Sequence, residues 1–125
     1  MNNPANLKYS KDHEWVLLEG DVATIGITDH AQEELTDVVF VELPEVGRSC
    51  DAGDPVAVVE SVKAASDIYI PVAGEIVAGN EELEADPSLV NTDAYGKGWI
   101  FKMKVKDVSV ISDMMDADAY AAFVS

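Results

Sequence analysis

The middle of the chain alternates short apolar runs with clusters of turn-forming residues, and this pattern constrains the fold more than any other feature. Residues 38–43 and 56–62 are rich in β-branched side chains, and the turn clusters at residues 44–47 and 51–55 each contain a proline. β-branched residues favour strands, whereas proline has no amide hydrogen for a strand ladder. The spacing therefore predicts a small, tightly folded sheet.

The first third of the chain predicts antiparallel strands followed by one short helix. The expected strands are residues 7–9, 14–18 and 22–27. Gly20 lies between the last two, and it tolerates the positive φ of a tight hairpin turn. A capping residue at Thr28 or Asp29 then precedes good helix formers, so a helix is expected to end near Leu35.

The second half of the chain predicts further strands and a helical C-terminal region. The expected strands are residues 67–72, 74–78 and 99–105, with single helical turns at 81–84 and 87–91. In the last strand, Ile100 alternates with Lys102 and Lys104 on the wet face. Apolar residues at helical spacing predict helices over about 107–124. Residues 1–125 are thus expected to form a single domain, mainly β with short helices.

The chain is strongly acidic, with 24 Asp and Glu against 8 Lys and Arg and a formal net charge of -16. From residue 12 to residue 60, thirteen acidic side chains accompany a single basic one, Arg48. Such a surface repels the phosphates of nucleic acids and anionic lipid headgroups, and it favours basic patches on partners. We expect neither nucleic-acid binding nor membrane association.

The N-terminal residues 1–6 are polar and lack the basic and apolar regions of a signal peptide. No uncharged apolar run approaches the length that spans a bilayer. These features predict a cytoplasmic location in a bacterium.

Few residues suggest catalysis or metal binding. Cys50 is the only cysteine, so an intramolecular disulfide is excluded, and no base can be assigned to it as a nucleophile. His13 and His30 do not lie in a ligand-spaced motif. We expect no metal, and structural or solvated roles for both histidines.

Lys63 is the only basic residue between Arg48 and Lys97, and it lies at a turn between two apolar runs. The residues that follow it include no Gly, Asn or Asp at the turn, so a type I geometry is favoured over turns with positive φ. Two interpretations remain open from these residues alone. Lys63 is either a solvated turn lysine or an attachment point whose acylated amine carries a cofactor on a long arm.

Motifs along nearly the whole chain occur in the order and spacing of a known family. They are residues 13–15 (HEW), 22–32 (VATIGITDHAQ), 38–44 (VVFVELP), 59–67 (VESVKAASD), 71–75 (PVAGE) and 98–99 (GW). With these motifs the chain resembles the H proteins of the glycine cleavage system, and the likeness thins only after Val105. The resemblance implies a barrel-sandwich hybrid of the lipoyl/biotinyl-carrier type, with lipoic acid in amide linkage to Lys63.

The resemblance also implies a non-catalytic carrier. Its lipoyl arm would take the aminomethyl group of glycine from a pyridoxal-phosphate-dependent glycine decarboxylase to a tetrahydrofolate-dependent aminomethyltransferase. Dihydrolipoamide dehydrogenase, an FAD enzyme, would reoxidise the arm, and lipoate-attaching enzymes would install it. A tethered arm keeps the reacting group at high effective concentration near each active site.

In this family the loaded arm is held in a surface cleft, and the matching carboxylates here are Asp12, Glu14 and Asp67. Because the loaded arm ends in an amine that is cationic near neutral pH, we expect Glu14 and Asp67 to hold it. Asp12 stands where family members often carry a neutral hydroxyl, so it either tightens retention or only lies in solvent. A solvated surface role remains the alternative for all three.

Other carriers share a hairpin lysine but differ in its surroundings. Biotin carriers have methionines on both sides of the lysine, where this chain has Val62 and Ala64. Lipoyl domains of 2-oxoacid dehydrogenases usually have Asp before the lysine and lack the segment 13–15. An H-like protein that donates lipoate to other lipoyl-dependent complexes needs the same lysine, and it stays the alternative function.

Overall fold

A computed structural model describes residues 3–125, which form nine strands and five short helices. Residues 1 and 2 of the predicted domain lie outside the described part. The strands are β1 (Lys8–Tyr9), β2 (Glu14–Glu19), β3 (Val22–Ile27), β4 (Val38–Glu42), β5 (Ser49–Cys50), β6 (Pro55–Ser61), β7 (Ala65–Tyr69), β8 (Gly74–Gly79) and β9 (Phe101–Val105). The helices are α1 (Asp29–Leu35), α2 (Glu82–Ala85), α3 (Leu89–Thr92), α4 (Ser109–Ser112) and α5 (Ala117–Val124).

The strands form two antiparallel sheets that enclose one main core. The larger sheet has the order β1-β2-β3-β9-β8-β5, and the smaller has the order β4-β6-β7. Side chains from both sheets meet in the core, among them Ile25 and Phe101 from the larger sheet and Val59 and Ile68 from the smaller. This arrangement confirms the predicted fold class, a mainly β barrel-sandwich hybrid with short helices.

Local sequence signals place the first hairpin and α1 where they were predicted. Gly20 has φ 68° in the turn between β2 and β3. The hydroxyl of Thr28 caps α1 by accepting a hydrogen bond from the Ala31 amide at 3.2 Å. The helix ends at Leu35, as expected, and the next residue adopts a positive φ that turns the chain into β4.

The C-terminal region is helical, as predicted, and its last helix, α5, packs against β1 at the edge of the larger sheet. Tyr120 of α5 stacks on Tyr9 of β1 with the ring centroids 4.8 Å apart. These two rings and Trp15 form a second, smaller core with Leu7. This cluster fixes the chain segment before β2, which forms one side of the candidate site.

Two predictions about strand faces and bounds were wrong. Ile100 is fully buried, not on the wet face, because β9 begins only at Phe101 and the alternation of a strand does not extend to the residue before it. β7 covers Ala65–Tyr69, whereas residues 67–72 were expected. The turn before β7 is shorter than predicted, so the strand starts and ends earlier.

The helices of residues 3–125 are short, and α5 is the longest at eight residues. None of these helices is long and apolar enough to cross a membrane.

Candidate functional site

The turn that carries Lys63 is held by the hydroxyl of Ser61. The Ser61 oxygen accepts hydrogen bonds from the amides of Lys63 at 3.2 Å and Ala64 at 3.1 Å, and the Ala64 carbonyl accepts from the Ser61 amide at 2.8 Å. A side-chain oxygen thus takes the place of the backbone acceptor of an ordinary β-turn. None of residues 62–64 has a positive φ, as predicted for a turn without Gly, Asn or Asp.

Lys63 is exposed at the tip of this turn, and its side chain lies across to the end of α1. Its Nζ donates a hydrogen bond to the Glu34 carbonyl oxygen at 3.1 Å. That carbonyl belongs to the last turn of α1, where helix carbonyls lack intrahelical partners and carry partial negative charge. The Lys63 ammonium is therefore held at the surface by an exposed contact.

A cleft of about 440 Å³ opens beside Lys63, between α1 and the β6–β7 hairpin. Part of its wall is apolar and comes from Ile27, Ala31, Leu35 and Ile68. The remaining lining includes carboxylate residues at Asp12, Glu34 and Asp67. An apolar wall that meets carboxylates suits a chain of methylene groups with a cationic end.

Asp12 and Asp67 are both exposed residues that line this cleft, and they approach it from different parts of the chain. Asp12 lies in the turn before β2, whereas Asp67 lies on β7. The structure thus brings together three of the four predicted site residues: Lys63, Asp12 and Asp67. The lining therefore holds three carboxylate residues, and among the described residues 3–125 it has no Lys or Arg other than Lys63, which favours binding of a cation.

Glu14 lies behind the cleft and does not appear in the described part of its lining. It is only 1% exposed, and its carboxylate accepts hydrogen bonds from the Ser10 hydroxyl at 2.6 Å and the Tyr69 amide at 3.3 Å. Burial raises the pKa of Glu14 from its ordinary value of 4.5 to about 7, although the Ser10 hydrogen bond opposes this shift. Near neutral pH, Glu14 therefore exchanges between a neutral acid and a carboxylate.

Ser10 ties the segment before β2 together. Its hydroxyl oxygen accepts hydrogen bonds from the amides of Asp12 at 3.2 Å and Glu14 at 3.1 Å while its proton is donated to the Glu14 carboxylate. One serine therefore positions both the exposed carboxylate in the cleft and the buried one behind it.

The two histidines meet at the margin of the cleft, with ring centroids 4.8 Å apart. His13 has φ 66°, its Nδ1 lies 2.8 Å from the Tyr120 hydroxyl, and burial lowers its pKa. The Nε2 of His30 lies 3.1 Å from a carboxylate oxygen of Glu34. Within residues 3–125, no group of three or more His, Cys, Asp or Glu could hold a metal ion. That the protein binds no metal stays a prediction.

Cys50 is buried in β5, away from the cleft, and burial raises the pKa of its thiol. A buried thiol of raised pKa is a poor nucleophile. Cys50 is therefore a packed side chain of the main core.

Sequence reasoning missed two residues of the site, Ser61 and Glu34. The role of Ser61 could have been predicted, because it lies two residues before Lys63 and a serine at the start of a turn commonly accepts hydrogen bonds from the amides that follow. Glu34 stands four residues after His30 on α1, a spacing that places both on one helix face. The burial of Glu14 had no such local signal, because it depends on Tyr69, which is far away in the sequence.

Comparison with known proteins identifies close relatives over the full chain. A family model described as "Glycine cleavage H-protein" matches residues 7–125. The chain is 53% identical over 125 residues to the glycine cleavage system H protein of Bacteroides thetaiotaomicron, covering 100% of this chain and 99% of the relative. It is 59% identical over 124 residues to that of Escherichia coli K12, covering 98% and 96%.

A solved structure supports the same relationship. The crystal structure of a glycine cleavage system H protein from Mycobacterium marinum is similar to this chain with a TM-score of 0.86 and 38% sequence identity. The match covers 95% of this chain and 96% of the other.

Proposed function

This chain belongs to the glycine cleavage H-protein family, and from that premise we propose that it is a lipoyl carrier with lipoic acid in amide linkage to Lys63. The observation that supports this most is the exposed position of Lys63 at a turn beside a cleft with apolar and acidic parts. The proposal treats residues 1–125 as one carrier domain without catalysis of its own. Its bacterial relatives support a place in the bacterial cytoplasm.

The lipoyl group, when bound, supplies a dithiolane whose sulfur takes up the aminomethyl group of glycine and is later reoxidised. The enzymes of this cycle are a pyridoxal-phosphate-dependent glycine decarboxylase, a tetrahydrofolate-dependent aminomethyltransferase and the FAD enzyme dihydrolipoamide dehydrogenase. The chain itself contributes the tether, the cleft and the charge around it.

The apolar wall of the cleft excludes water from an arm that lies along it. Ile27 and Ile68 are buried members of this wall, and Leu35 of α1 is half-buried beside them. Methylene groups gain about 0.8 kcal/mol each when they leave water for such a surface. This gain favours a retracted arm over an extended one and slows hydrolysis of its load.

Asp67 and Asp12 stabilise the cationic amine at the end of the loaded arm, because both carboxylates line the cleft. Glu14 joins them from behind. A cation that approaches a buried acid lowers its pKa, so the arrival of the amine favours the charged form of Glu14, which is half neutral near pH 7 before loading. The loaded arm and the ionised Glu14 therefore stabilise each other.

Reconstituted glycine decarboxylation tests the function. The chain is loaded with lipoate and mixed with glycine decarboxylase and glycine, and the exchange of labelled bicarbonate into the carboxyl group of glycine is measured. We expect the loaded wild-type chain to support exchange and Lys63→Arg, which keeps the charge but gives no lipoyl amide, to support none. A loaded wild-type chain that supports no exchange would instead favour the H-like lipoate donor.

A further inference from the structure

An exposed apolar surface runs along β4, the edge strand of the smaller sheet. Val39 is 54% exposed and Phe40 is 49% exposed, although they are neighbours in the strand. The register explains this, since Val38 pairs with Ser61 and Phe40 with Glu60, which leaves Val39 as an extra residue in a bulge. A β-bulge re-aims side chains, and here it presents two large apolar groups to solvent.

Phe40 also begins a groove of about 460 Å³, which we call the β4 groove. Its floor includes Leu43 and Pro44 beside the exposed Val46, and its rim carries three carboxylate residues: Glu42, Glu81 and Glu84. Within the described part of the chain, residues 3–125, no Lys or Arg lines the groove. The chemistry that complements it is an apolar side chain flanked by Lys or Arg.

This surface begins directly beside the attachment turn. Phe40 lies opposite Glu60, three residues before Lys63, which corresponds to roughly 10 Å along a strand. Val62, next to Lys63, is 70% exposed, and its amide donates to the Asp37 carbonyl just before β4 at 3.0 Å. Exposed apolar side chains at Val62, Val39 and Phe40 thus extend from the lysine to the β4 groove, and we call this surface, with the groove, the face beside the turn.

We propose that this face, and the β4 groove in particular, is the docking site of the enzyme that attaches lipoate to Lys63. The inference rests on the proposed function. An enzyme that acylates the lysine must bring its active site to Nζ itself, so its contacts must lie beside the turn. Enzymes that act on the far end of the attached lipoyl arm work at a distance from Lys63, so they do not need contacts beside the turn.

The chemical step sets the same requirement. The neutral Lys63 amine attacks the carbonyl carbon of lipoyl adenylate, which is formed from ATP and lipoate. The nitrogen–carbon bond forms, the bond from that carbon to the adenylate oxygen breaks, adenosine monophosphate leaves and the nitrogen loses a proton. Before it reacts, the amine must leave the Glu34 carbonyl, its contact at 3.1 Å. A partner seated on the adjoining face is well placed to lift it.

The direct test compares a double variant with a matched control on the same full chain. Val39→Ser combined with Phe40→Ser removes the apolar surface, whereas Val110→Ser changes a valine of α4 that is also exposed, away from the turn. Lipoylation by a lipoate–protein ligase with ATP and lipoate is followed by intact mass at several chain concentrations. We expect the double variant to lose roughly tenfold or more in kcat/KM, mainly through KM, because it loses apolar contact area. The control should stay within twofold.

A second measurement separates this docking from docking of the other enzymes. Both variants are lipoylated to completion by long incubation, and the oxidation of the reduced arm by dihydrolipoamide dehydrogenase is measured. We expect rates within twofold of wild type. A double variant with an unchanged KM for lipoylation would overturn the proposal, and so would an equal loss in both reactions.

Removing the negative charges of the β4 groove tests the proposal independently. Glu42→Gln, Glu81→Gln and Glu84→Gln together should raise KM for lipoylation several-fold at low salt and weaken its dependence on ionic strength. The matched triple variant, Glu19→Gln, Asp113→Asn and Asp118→Asn, should change neither. An equal effect of both triples would overturn the role of the rim. If the wild-type chain did not accept lipoate at all, the proposed carrier function would be wrong. That result is distinct from the variant effects that test docking.

Discussion

Two turns of this molecule are held in the same way, by a serine hydroxyl that accepts hydrogen bonds from backbone amides. One turn exposes a charged side chain, whereas the other buries one. In one, Ser61 accepts hydrogen bonds from the amides of Lys63 and Ala64; in the other, Ser10 accepts them from the amides of Asp12 and Glu14. The first turn presents a cation to solvent, whereas the second buries an acid at 1% exposure. The serine in each turn fixes the local backbone. The surrounding elements determine whether the charged side chain is exposed or buried.

Different structural elements surround the charged side chains of the two turns. Lys63 contacts the end of α1, which offers a carbonyl at the surface, and the open cleft lies beside it. Around Glu14 the strands β1, β2 and β7 close together, and Tyr69 donates its amide to the carboxylate. Burial therefore raises the pKa of Glu14 to about 7.

The largest expected effect concerns the buried acid. The folded pKa of Glu14, about 7, exceeds its ordinary value of 4.5, so the folded chain binds more protons than the unfolded chain between these pH values. The contribution of Glu14 to stability is thus fully present below about pH 4.5 and is lost as pH rises through about 7. We expect a loss of roughly 3 kcal/mol in the free energy of unfolding between pH 4.5 and pH 8.

Urea unfolding of wild type and Glu14→Gln at several pH values measures this term as a difference. The glutamine does not titrate, so its stability should fall less over the same range. Parallel pH profiles for the two chains would show that Glu14 does not titrate as described.

Ser10→Ala tests the hydroxyl that bonds the buried Glu14. The change leaves the Glu14 amide and the Glu14 carboxylate without their partner in a buried place. We expect a loss of about 2 kcal/mol in the free energy of unfolding. Unfolding in urea at pH 8 measures it. A loss no larger than that of Ser61→Ala would remove the distinction between the two turns.

Ser61→Ala tests the turn of Lys63. Ser61 itself is buried, but Lys63 and Ala64 are exposed, so water can reach the amides that lose the hydroxyl. The expected cost is about 1 kcal/mol, since the amides of Lys63 and Ala64 remain near solvent. Because the turn then holds Lys63 less firmly, lipoylation should slow a few-fold. Ser112→Ala on α4, outside the cleft, is the matched control and should leave the rate unchanged. Equal rates for both variants would mean that Ser61 does not position the lysine.

The smallest expected effect concerns an exposed carboxylate of the cleft. Asp67→Asn removes one charge from the cleft in which we propose that the loaded amine is held, and exposed ion pairs contribute on the order of 0.2–1 kcal/mol. The hydrolytic lifetime of the loaded arm should therefore fall about twofold to fivefold. Release of formaldehyde from the loaded chain over time measures it, with Asp113→Asn as the control. An unchanged lifetime would exclude Asp67 from retention of the amine.

Much of the fold followed from local sequence signals. The Gly20 turn, the Thr28 cap and the end of α1 each depend on residues within a few positions, so the sequence predicted them. The exposed position of Lys63 also followed, because the sequence places it at a turn between two strands.

Features that depend on distant contacts did not follow. Ile100 is buried because it packs among core residues of both sheets, just before the alternation of β9 begins. The bulge at Val39 arises from pairing between β4 and β6, and the run 38–43 gives no sign of it. Likewise, Glu14 looks like an ordinary strand-edge acid until Tyr69 and Ser10 are placed around it.

The central claim is that Lys63 carries the lipoyl arm, and peptide mapping by mass spectrometry tests it most directly. The full chain is incubated with lipoate–protein ligase, ATP and lipoate, digested, and compared with Lys63→Arg, whose remaining basic residues are unchanged. We predict one lipoyl amide on the peptide that contains Lys63 and none on the variant. An adduct on another lysine, or an adduct that persists in Lys63→Arg, would contradict the account.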